Sequence, residues 1–314
     1  MASSMPPQLD RFFRSFEGTR SAYPIALFRL AFFSGLALHF FPSLLWLDEG
    51  YRPGALRTEE WSEWLFEHFW RFPQVHVRIW AVVTMVACLA AIAGVFPRLA
   101  ALVCGVGFYV FASFNALHLQ TLALVEAWAI LLLWMICGGG TAVLSVEALL
   151  RKKPVAPVES RLLSGLVLYQ VLLGVFFAGV EKFIAGWPWS NEMGIVLSYP
   201  RGFLVRDWVA AWGVMHAPLV THAFSWFTIF VELGTPIGLL FKRTRIVSLV
   251  LYEAFFLGII ATLEVPPLFY CIFASGAFLA LDDEEVAQIT GRLERLRRRR
   301  ATIATDGKNA AGVT

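Results

Sequence analysis

Eight long runs of apolar residues, separated by short polar segments, constrain this sequence more than any other feature. About 20 apolar residues let an α-helix cross the hydrocarbon core of a bilayer. A spanning segment must be a helix or part of a closed barrel, because lipid cannot satisfy backbone N–H and C=O groups. Continuous rather than alternating apolar runs favour helices. We therefore predict an all-α, polytopic transmembrane bundle with eight spans, near 24–46, 77–97, 99–117, 121–144, 161–182, 219–241, 245–264 and 266–281.

The composition excludes an ordinary water-soluble domain, because 58% of the residues are hydrophobic and the mean hydropathy is +0.65. Lipid must cover much of such a surface. Charged residues lie mainly between the apolar runs, so the net charge of +3 predicts no nucleic-acid partner. All four cysteines fall inside apolar runs, which predicts no disulfide framework and no metal site.

The distribution of Lys and Arg predicts the orientation in the cell membrane. If the N-terminus and every second connection are cytoplasmic, that side holds 18 of these residues and the other side holds 7. Cytoplasmic loops are rich in Lys and Arg, so both termini are expected to be cytoplasmic. The predicted organisation is an N-terminal segment 1–23, a membrane domain 24–281 and a basic tail 282–314.

Two connections on the predicted outer side are long, near 47–76 and 183–218. Both mix tryptophans with charged or turn-forming residues. Such a mixture is typical of segments that lie at the membrane interface. We expect interfacial outer loops in these two regions.

Several ionisable residues fall within or at the ends of the predicted spans. A charge in the bilayer costs about 3 kcal/mol on insertion scales, so each one needs a partner, a water cavity or a function. Two interpretations stay open. Arg29 could pair with a buried glutamate and hold the bundle together, or the groups could line a polar cavity or an ion path; the residues concerned are Arg29, Glu126, Glu232 and Glu253.

Three further positions converge towards the predicted outer face. His118, Glu126 and Lys182 come from three different segments, which favours a polar cavity there. Burial disfavours the ammonium form of a lysine, and a free amine can act as a base or nucleophile. Lys182 is therefore the candidate base, although an interfacial histidine and a lysine that reaches towards water would explain His118 and Lys182 equally well.

Four segments resemble the vitamin K-dependent gamma-carboxylase family and its membrane core, the horizontally transferred transmembrane (HTTM) domain. The most specific is FFAGVEKFIAGWPWSNEMGIVLSY at 176–199. The others are LFRLAFFSGLAL at 27–38, NALHLQTLALVEAW at 115–128 and VELGTP at 231–236. The resemblance identifies the chain as similar to a compact member of this group.

The resemblance implies a quinol-dependent epoxidase or carboxylase, a lyase or an oxidoreductase. Lys182 matches the lysine that deprotonates vitamin K hydroquinone, and His118 matches an assisting histidine. It further implies a reduced quinone, such as vitamin K hydroquinone or a menaquinol, as the cofactor, and oxygen as its oxidant. The alternative is a transporter or a non-catalytic membrane partner with a buried ionic network. A transporter is expected to show inverted halves or broken helices, and the sequence shows no such symmetry.

Overall fold

The computed structural model describes residues 16–45, 74–114, 121–150, 157–190, 204–206, 209, 217–264, 267–288 and 291, and it is mostly helical. A helix lies in each of the eight predicted apolar runs. The helices are α1 Tyr23–Leu45, α2 Gln74–Ala93, α3 Pro97–Phe114, α4 Thr121–Cys137, the short α5 Val146–Leu150, α6 Arg161–Ile184, α7 Pro218–Leu240, α8 Arg245–Thr262 and α9 Pro267–Ala277. A 3-10 turn, Phe278–Ala280, follows α9.

Three of these helices are long and apolar enough to cross a membrane, namely α6, α7 and α8. Five further apolar helices are described over shorter stretches: Tyr23–His39, Ile79–Ala93, Pro97–Phe108, Glu126–Cys137 and Leu268–Ala280. Many large apolar side chains face outward, and those of Val247, Val250 and Leu257 on α8 are each more than half exposed. The chain therefore has the helices and the apolar surface of a membrane protein.

The long helices pack mainly against their neighbours in the chain. Each of the pairs α1–α2, α2–α3, α3–α4, α4–α6, α6–α7, α7–α8 and α8–α9 is in contact. The last helix, α9, also packs against α1, α4 and α6. It therefore lies among the other helices, and its contact with α1 joins the two ends of the series.

Aromatic rings fill much of the core. The indole of Trp134 on α4 stacks on Phe28 and Phe32 of α1, with centroids 6.0 and 6.3 Å apart. On the other side of the bundle, Phe256 of α8 stacks on Phe273 of α9 at 5.8 Å. Buried aromatic pairs of this kind add to the burial of apolar area.

Two short antiparallel strand pairs connect segments that lie next to the helix ends. Strand β1, Thr19–Ser21, precedes α1 and pairs with β2, Val158–Ser160, which precedes α6. Strand β3, Leu204–Val205, lies between α6 and α7 and pairs with β4, Leu263–Glu264, which follows α8. The starts of α1 and α6 are thus brought to one end of the bundle, and the segments after α6 and α8 also meet.

Residues Leu281–Thr314 form a separate compact unit. Residues 283–288 are helical, and the side chains of Asp282 and Glu285 each accept a hydrogen bond from the backbone N–H of the other. This reciprocal arrangement is a capping box, which stabilises the first turn of a helix. Most of the predicted basic tail lies outside the described residues.

Candidate functional site

Lys182 and Glu232 form an ion pair between α6 and α7. The Lys182 Nζ donates to both carboxylate oxygens of Glu232, at 2.8 Å each. The side chain of Lys182 is 23% exposed and that of Glu232 is 9% exposed. The amine can therefore be reached from the surface, while the carboxylate lies behind it towards the core.

A glycine on α6 allows this pair to form. A Cβ placed on Gly179 would lie 2.9 Å from the Cβ of Glu232 and 3.0 Å from the side chain of Leu233. Gly179 lies three residues before Lys182, so both share one face of α6. The missing side chain lets α7 approach α6 closely at the level where Lys182 meets Glu232.

The turn after α6 covers the amine. The ring of Trp187 lies 5.5 Å from the Lys182 Nζ, within the range of a cation–π contact. The backbone N–H of Trp187 donates to the Lys182 carbonyl at 3.1 Å. The indole is therefore fixed beside the lysine by the main chain itself.

Pro236 lies inside α7, four residues after Glu232. Proline has no backbone N–H, so the carbonyl of Glu232 lacks its usual partner within the helix. The hydroxyl of Thr235 donates to the Val231 carbonyl at 2.6 Å. The backbone hydrogen bonding of α7 is thus interrupted at Glu232, the residue that pairs with Lys182.

A second buried carboxyl group, that of Glu126 on α4, faces α6. Its Oε2 accepts a hydrogen bond from the Gln170 side-chain amide at 2.9 Å. A Cβ on Gly174 would lie 2.4 Å from the Glu126 Oε1. As with Gly179, a glycine on α6 makes room for a glutamate of the neighbouring helix.

Tyr252 lies in the interior of α8, one residue before Glu253. It is fully buried, and the carboxyls of Glu253, Glu232 and Glu126 all act on it electrostatically. Within the described part of the chain, neither the Tyr252 hydroxyl nor the Glu253 Oε1 has a hydrogen-bond partner. Buried polar atoms usually have one, so these two atoms require an explanation.

Arg29 lies at a different place in the bundle. Its guanidinium donates to the backbone carbonyls of Gly140 and Leu144, and more distantly to that of Ile92 at 3.4 Å. These carbonyls belong to the end of α2 and to the connection after α4. Where the structure describes its surroundings, the hydrogen bonds of Arg29 therefore go to the backbone rather than to a glutamate.

The carboxylate of Glu159 binds the backbone of the same connection, between α4 and α5. Glu159 accepts hydrogen bonds from the backbone N–H groups of Gly140 and Ala142. The three glycines at 138–140 all have positive φ, between 68° and 102°. Only glycine adopts that backbone without strain, which explains the GGG of the sequence.

The structure thus brings Lys182 together with Glu232, and Glu126 together with Gln170. His118 lies outside the described residues. Sequence reasoning did not identify Gln170, Tyr252 or Glu159 as partners. Gln170 was detectable as an uncharged polar residue inside an apolar run, whereas Tyr252 and Glu159 carried no distinct signal.

Among the residues that the structure describes, no three His, Cys, Asp or Glu side chains are grouped so that they could hold a metal ion. No family model, curated protein or solved structure matches this chain. The proposed function therefore rests on the geometry described above.

Proposed function

We propose that the chain is a multi-pass protein of the cell membrane in which the eight long helices cross the bilayer alternately, with both termini cytoplasmic. The strand pairs support this topology. Pairing of β1 with β2 requires an even number of crossings between the start of α1 and the start of α6, and the four long helices α1 to α4 lie between them. Pairing of β3 with β4 requires an even number between them, and α7 and α8 provide two.

The position of the segment directly after α9 also supports this topology. The guanidinium of Arg20, just before α1, donates to the carbonyl of Leu279, just after α9, at 2.9 Å. The start of the first helix and the end of the last one therefore lie at the same end of the bundle. In this topology the sequence segments assigned to that side hold the excess of Lys and Arg, as the positive-inside rule requires for the cytoplasmic side.

The proposed activity is the binding and deprotonation of a lipophilic quinol by Lys182 and Glu232. One observation carries this proposal: the amine of a partly exposed lysine is held at 2.8 Å by a nearly buried carboxylate, in the segment whose sequence resembles the carboxylase signature. In low dielectric surroundings such a pair interacts strongly and can hold or release a proton as a unit. An acid and base so close together are suited to proton transfer with a hydroxyl group.

The roles of the two side chains follow from their contacts. Glu232 takes the proton of the quinol hydroxyl on its carboxylate, directly or through the Lys182 amine. Lys182, as the ammonium, then stabilises the negative charge on the quinol oxygen. The pair as a whole gains one proton, and the quinol loses it. The resemblance implies Lys182 as the base, and the geometry adds Glu232 as its proton-sharing partner.

Aromatic side chains beside Lys182 suit a flat, lipophilic ring. Phe183 and Trp189 lie with their ring centroids 5.3 Å apart, and Trp189 lies 5.8 Å from Trp226 of α7. All three rings are substantially exposed. They offer a quinol ring an exposed stacking surface at the same end of α6 as Lys182.

The test is to incubate the purified protein in detergent with reduced vitamin K or menaquinol and oxygen, and to detect the quinone epoxide by mass spectrometry. Oxygen is the oxidant that this product requires. We expect epoxide from the wild-type protein and at most about one hundredth of that amount from Lys182→Met and Glu232→Gln, since general-base groups contribute factors of about 100 or more.

The matched control is Arg243→Ala, which removes an exposed cation in the turn between α7 and α8. It should leave epoxide formation unchanged. If the wild-type protein binds neither quinol and forms no epoxide while remaining folded, the proposed activity is refuted. Equal epoxide formation by Lys182→Met and by the wild type would refute the assigned site.

A further inference from the structure

The ammonium of Lys182 has one N–H that the ion pair does not use. An ammonium carries three donors, and the two contacts with the Glu232 carboxylate, at 2.8 Å each, take at most two of them. In the part of the chain that the structure describes, the remaining contact of the Lys182 Nζ is with the ring of Trp187, 5.5 Å away. A ring at this distance attracts the cation but is too far away to accept a normal hydrogen bond. The third N–H can therefore be donated to an oxygen atom of a ligand.

The backbone of the turn after α6 places Trp187 over Lys182. Helix α6 ends at Ile184, and Gly186 follows with a φ of 86°. The N–H of Trp187 donates to the Lys182 carbonyl at 3.1 Å, and that of Gly186 donates to the Phe183 carbonyl at 3.2 Å. These two bonds and the left-handed glycine make a Schellman motif, in which the residue after the glycine commonly contacts a residue of the last helical turn. Trp187 and Lys182 occupy those two positions.

Three further hydrogen bonds stabilise this turn. The Gly186 carbonyl accepts from the backbone N–H groups of Trp189 and Ser190, at 2.9 and 3.0 Å, and from the Ser190 hydroxyl at 3.0 Å. A Cβ on Gly186 would meet no atom within 4 Å, so the positive φ alone favours glycine here. The main chain of the turn thus sets the position of the Trp187 indole.

Glu232 and Trp187 bind the amine with different strengths. A hydrogen bond between an ammonium and a carboxylate is stronger than a cation–π contact at a partly exposed site. A ligand oxygen that binds the Lys182 Nζ therefore competes with the contact to Trp187 rather than with the one to Glu232. The indole of Trp187 then lies beside the ligand, where it can stack on an aromatic ring. An aliphatic chain gains no such stacking.

We infer that Trp187 is the positioning residue of Lys182 and selects the ligand that this amine binds. Its indole holds the amine against Glu232, and it stacks on the ring of a ligand whose oxygen accepts the third N–H. The ligand class is an aromatic alcohol, such as a phenol or a hydroquinone, in preference to an aliphatic alcohol or a fatty acid. The positioning of the amine stands alone, whereas the choice of ligand rests on the proposed function.

The first experiment measures the reactivity of the Lys182 amine in the full chain in lipid vesicles, without a quinol. Formaldehyde and cyanoborohydride methylate a free amine: the amine adds to formaldehyde, water leaves, and hydride from cyanoborohydride reduces the iminium. Trp187→Leu removes a contact that favours the ammonium. We expect it to raise the methylation rate at Lys182, measured by peptide mass spectrometry, by about two- to fivefold, the factor for a cation–π contact at a partly exposed site.

Two further variants separate this contact from a general loosening of the fold. Trp187→Phe keeps an aromatic face and should stay within about twofold of the wild-type rate. Gly186→Ala keeps the indole but strains the turn that carries it, so it should raise the rate as Trp187→Leu does. Trp128→Phe, at an exposed tryptophan of α4, is the matched control and should methylate as the wild type does. A tryptophan that only anchors α6 at the membrane interface would give the same rate in every variant.

The second experiment tests the choice of ligand by protection of the same amine. The probes are menadiol, a hydroquinone without a side chain that is kept reduced under nitrogen, and palmitate, which carries its oxygen anion on an aliphatic chain. We expect menadiol to protect Lys182 in the wild type and in Trp187→Phe at concentrations about two- to tenfold lower than in Trp187→Leu, the factor for an aromatic pair. Palmitate should show no such difference between the variants.

The outcomes separate this inference from the proposed function. Equal methylation of the wild type and Trp187→Leu refutes the positioning role, whatever the epoxide experiment shows. Equal protection of both proteins by menadiol refutes the selection of the ligand by Trp187, but it leaves the Lys182–Glu232 site standing. If menadiol protects Lys182 in none of the proteins, the proposed ligand and its stacking on Trp187 are both refuted. The methylation rates without menadiol then decide the positioning role by themselves.

Discussion

Two cations in this bundle, Arg29 and Lys182, have opposite surroundings. The Arg29 side chain is completely buried and bonds backbone carbonyls from separate segments of the chain. The Lys182 amine is partly exposed and bonds a side-chain carboxylate. Backbone carbonyls cannot take up a proton, whereas a carboxylate can. The contacts of Arg29 therefore suit a structural role, and those of Lys182 suit the proton transfer proposed above.

The difference follows from the donor groups. The planar guanidinium offers five N–H donors in a fixed geometry and keeps its proton at any ordinary pH, so it can bind several carbonyls at once. The ammonium of lysine is a compact charge that loses a proton more readily when buried. Arginine thus suits a site lined by several carbonyls, and lysine suits a site where a proton can be lost.

The largest expected effect is loss of stability on removing Arg29. Arg29→Ala leaves the carbonyls of Gly140 and Leu144 without their donor and opens a cavity beside Gly94. We expect the free energy of unfolding to fall by about 3–5 kcal/mol, as for other buried charges removed from their partners. Thermal unfolding in detergent, followed by tryptophan fluorescence, measures this change.

Arg29→Lys is the conservative comparison for that experiment. One ammonium cannot reproduce the fork that bonds both carbonyls, so we expect most of the loss to remain. A midpoint within about one degree of the wild type for Arg29→Ala would contradict the structural role, because a loss of about 3 kcal/mol should shift the midpoint of a chain of this length by several degrees. Arg243→Ala, at the exposed turn, should show no shift.

Glu159→Gln tests the other side of the same connection. The carboxylate accepts from the backbone N–H groups of both Gly140 and Ala142, whereas a glutamine amide has one accepting oxygen. We expect a loss of about 1.5–3 kcal/mol, the usual value for a hydrogen bond to a charged group. The same unfolding measurement applies, and Glu181→Gln, at an exposed residue of α6, is the matched control. Equal stability of the two variants would show that the carboxylate does not hold the glycine connection.

The Lys182–Glu232 pair should contribute less to stability than the Arg29 contacts. We expect Lys182→Met and Glu232→Gln each to lower the free energy of unfolding by about 1–2 kcal/mol, because one partner of a partly buried pair is left alone. The double variant should cost less than the sum of the two, which a double-mutant cycle measures. Strict additivity would mean that the two side chains do not interact in the membrane.

The apolar runs predicted the helices well, because their length and their continuous hydrophobicity are local properties of the sequence. All eight predicted runs contain a helix, and three of these helices meet the length and composition of a membrane span. The alternating topology stays a prediction. The sequence could also identify Lys182, Glu126, Glu232 and Glu253 as unusual, because an ionisable residue in an apolar run is itself a local signal.

The pairing of those residues could not be predicted in the same way. Lys182 meets Glu232 because Gly179 lets two helices approach closely, which depends on packing between distant segments. Arg29 instead bonds carbonyls that become available only when the connection after α4 folds back beside α1. Neither partner choice leaves a regular spacing in the sequence, so both required the structure.

Gly179→Ala should affect the proposed activity more than the stability. The added methyl would lie 2.9 Å from the Cβ of Glu232, so α7 must move slightly away from α6. The cost of such overpacking is about 1 kcal/mol, partly offset by the better helix propensity of alanine. The activity should fall at least about tenfold, since small displacements of positioned groups have large effects on rate. Gly258→Ala, at an open position on α8, is the control and should retain activity.

The smallest expected effect on stability is that of Tyr252→Phe. The hydroxyl is buried and has no hydrogen-bond partner in the described part of the chain, so its removal leaves no protein group unsatisfied. Removing an unpaired buried polar group should leave the free energy of unfolding unchanged or raise it by up to about 1 kcal/mol. Thermal unfolding should therefore give a midpoint equal to or above that of the wild type. A clear loss of stability would mean that the hydroxyl bonds a partner and serves the fold, as Arg29 does.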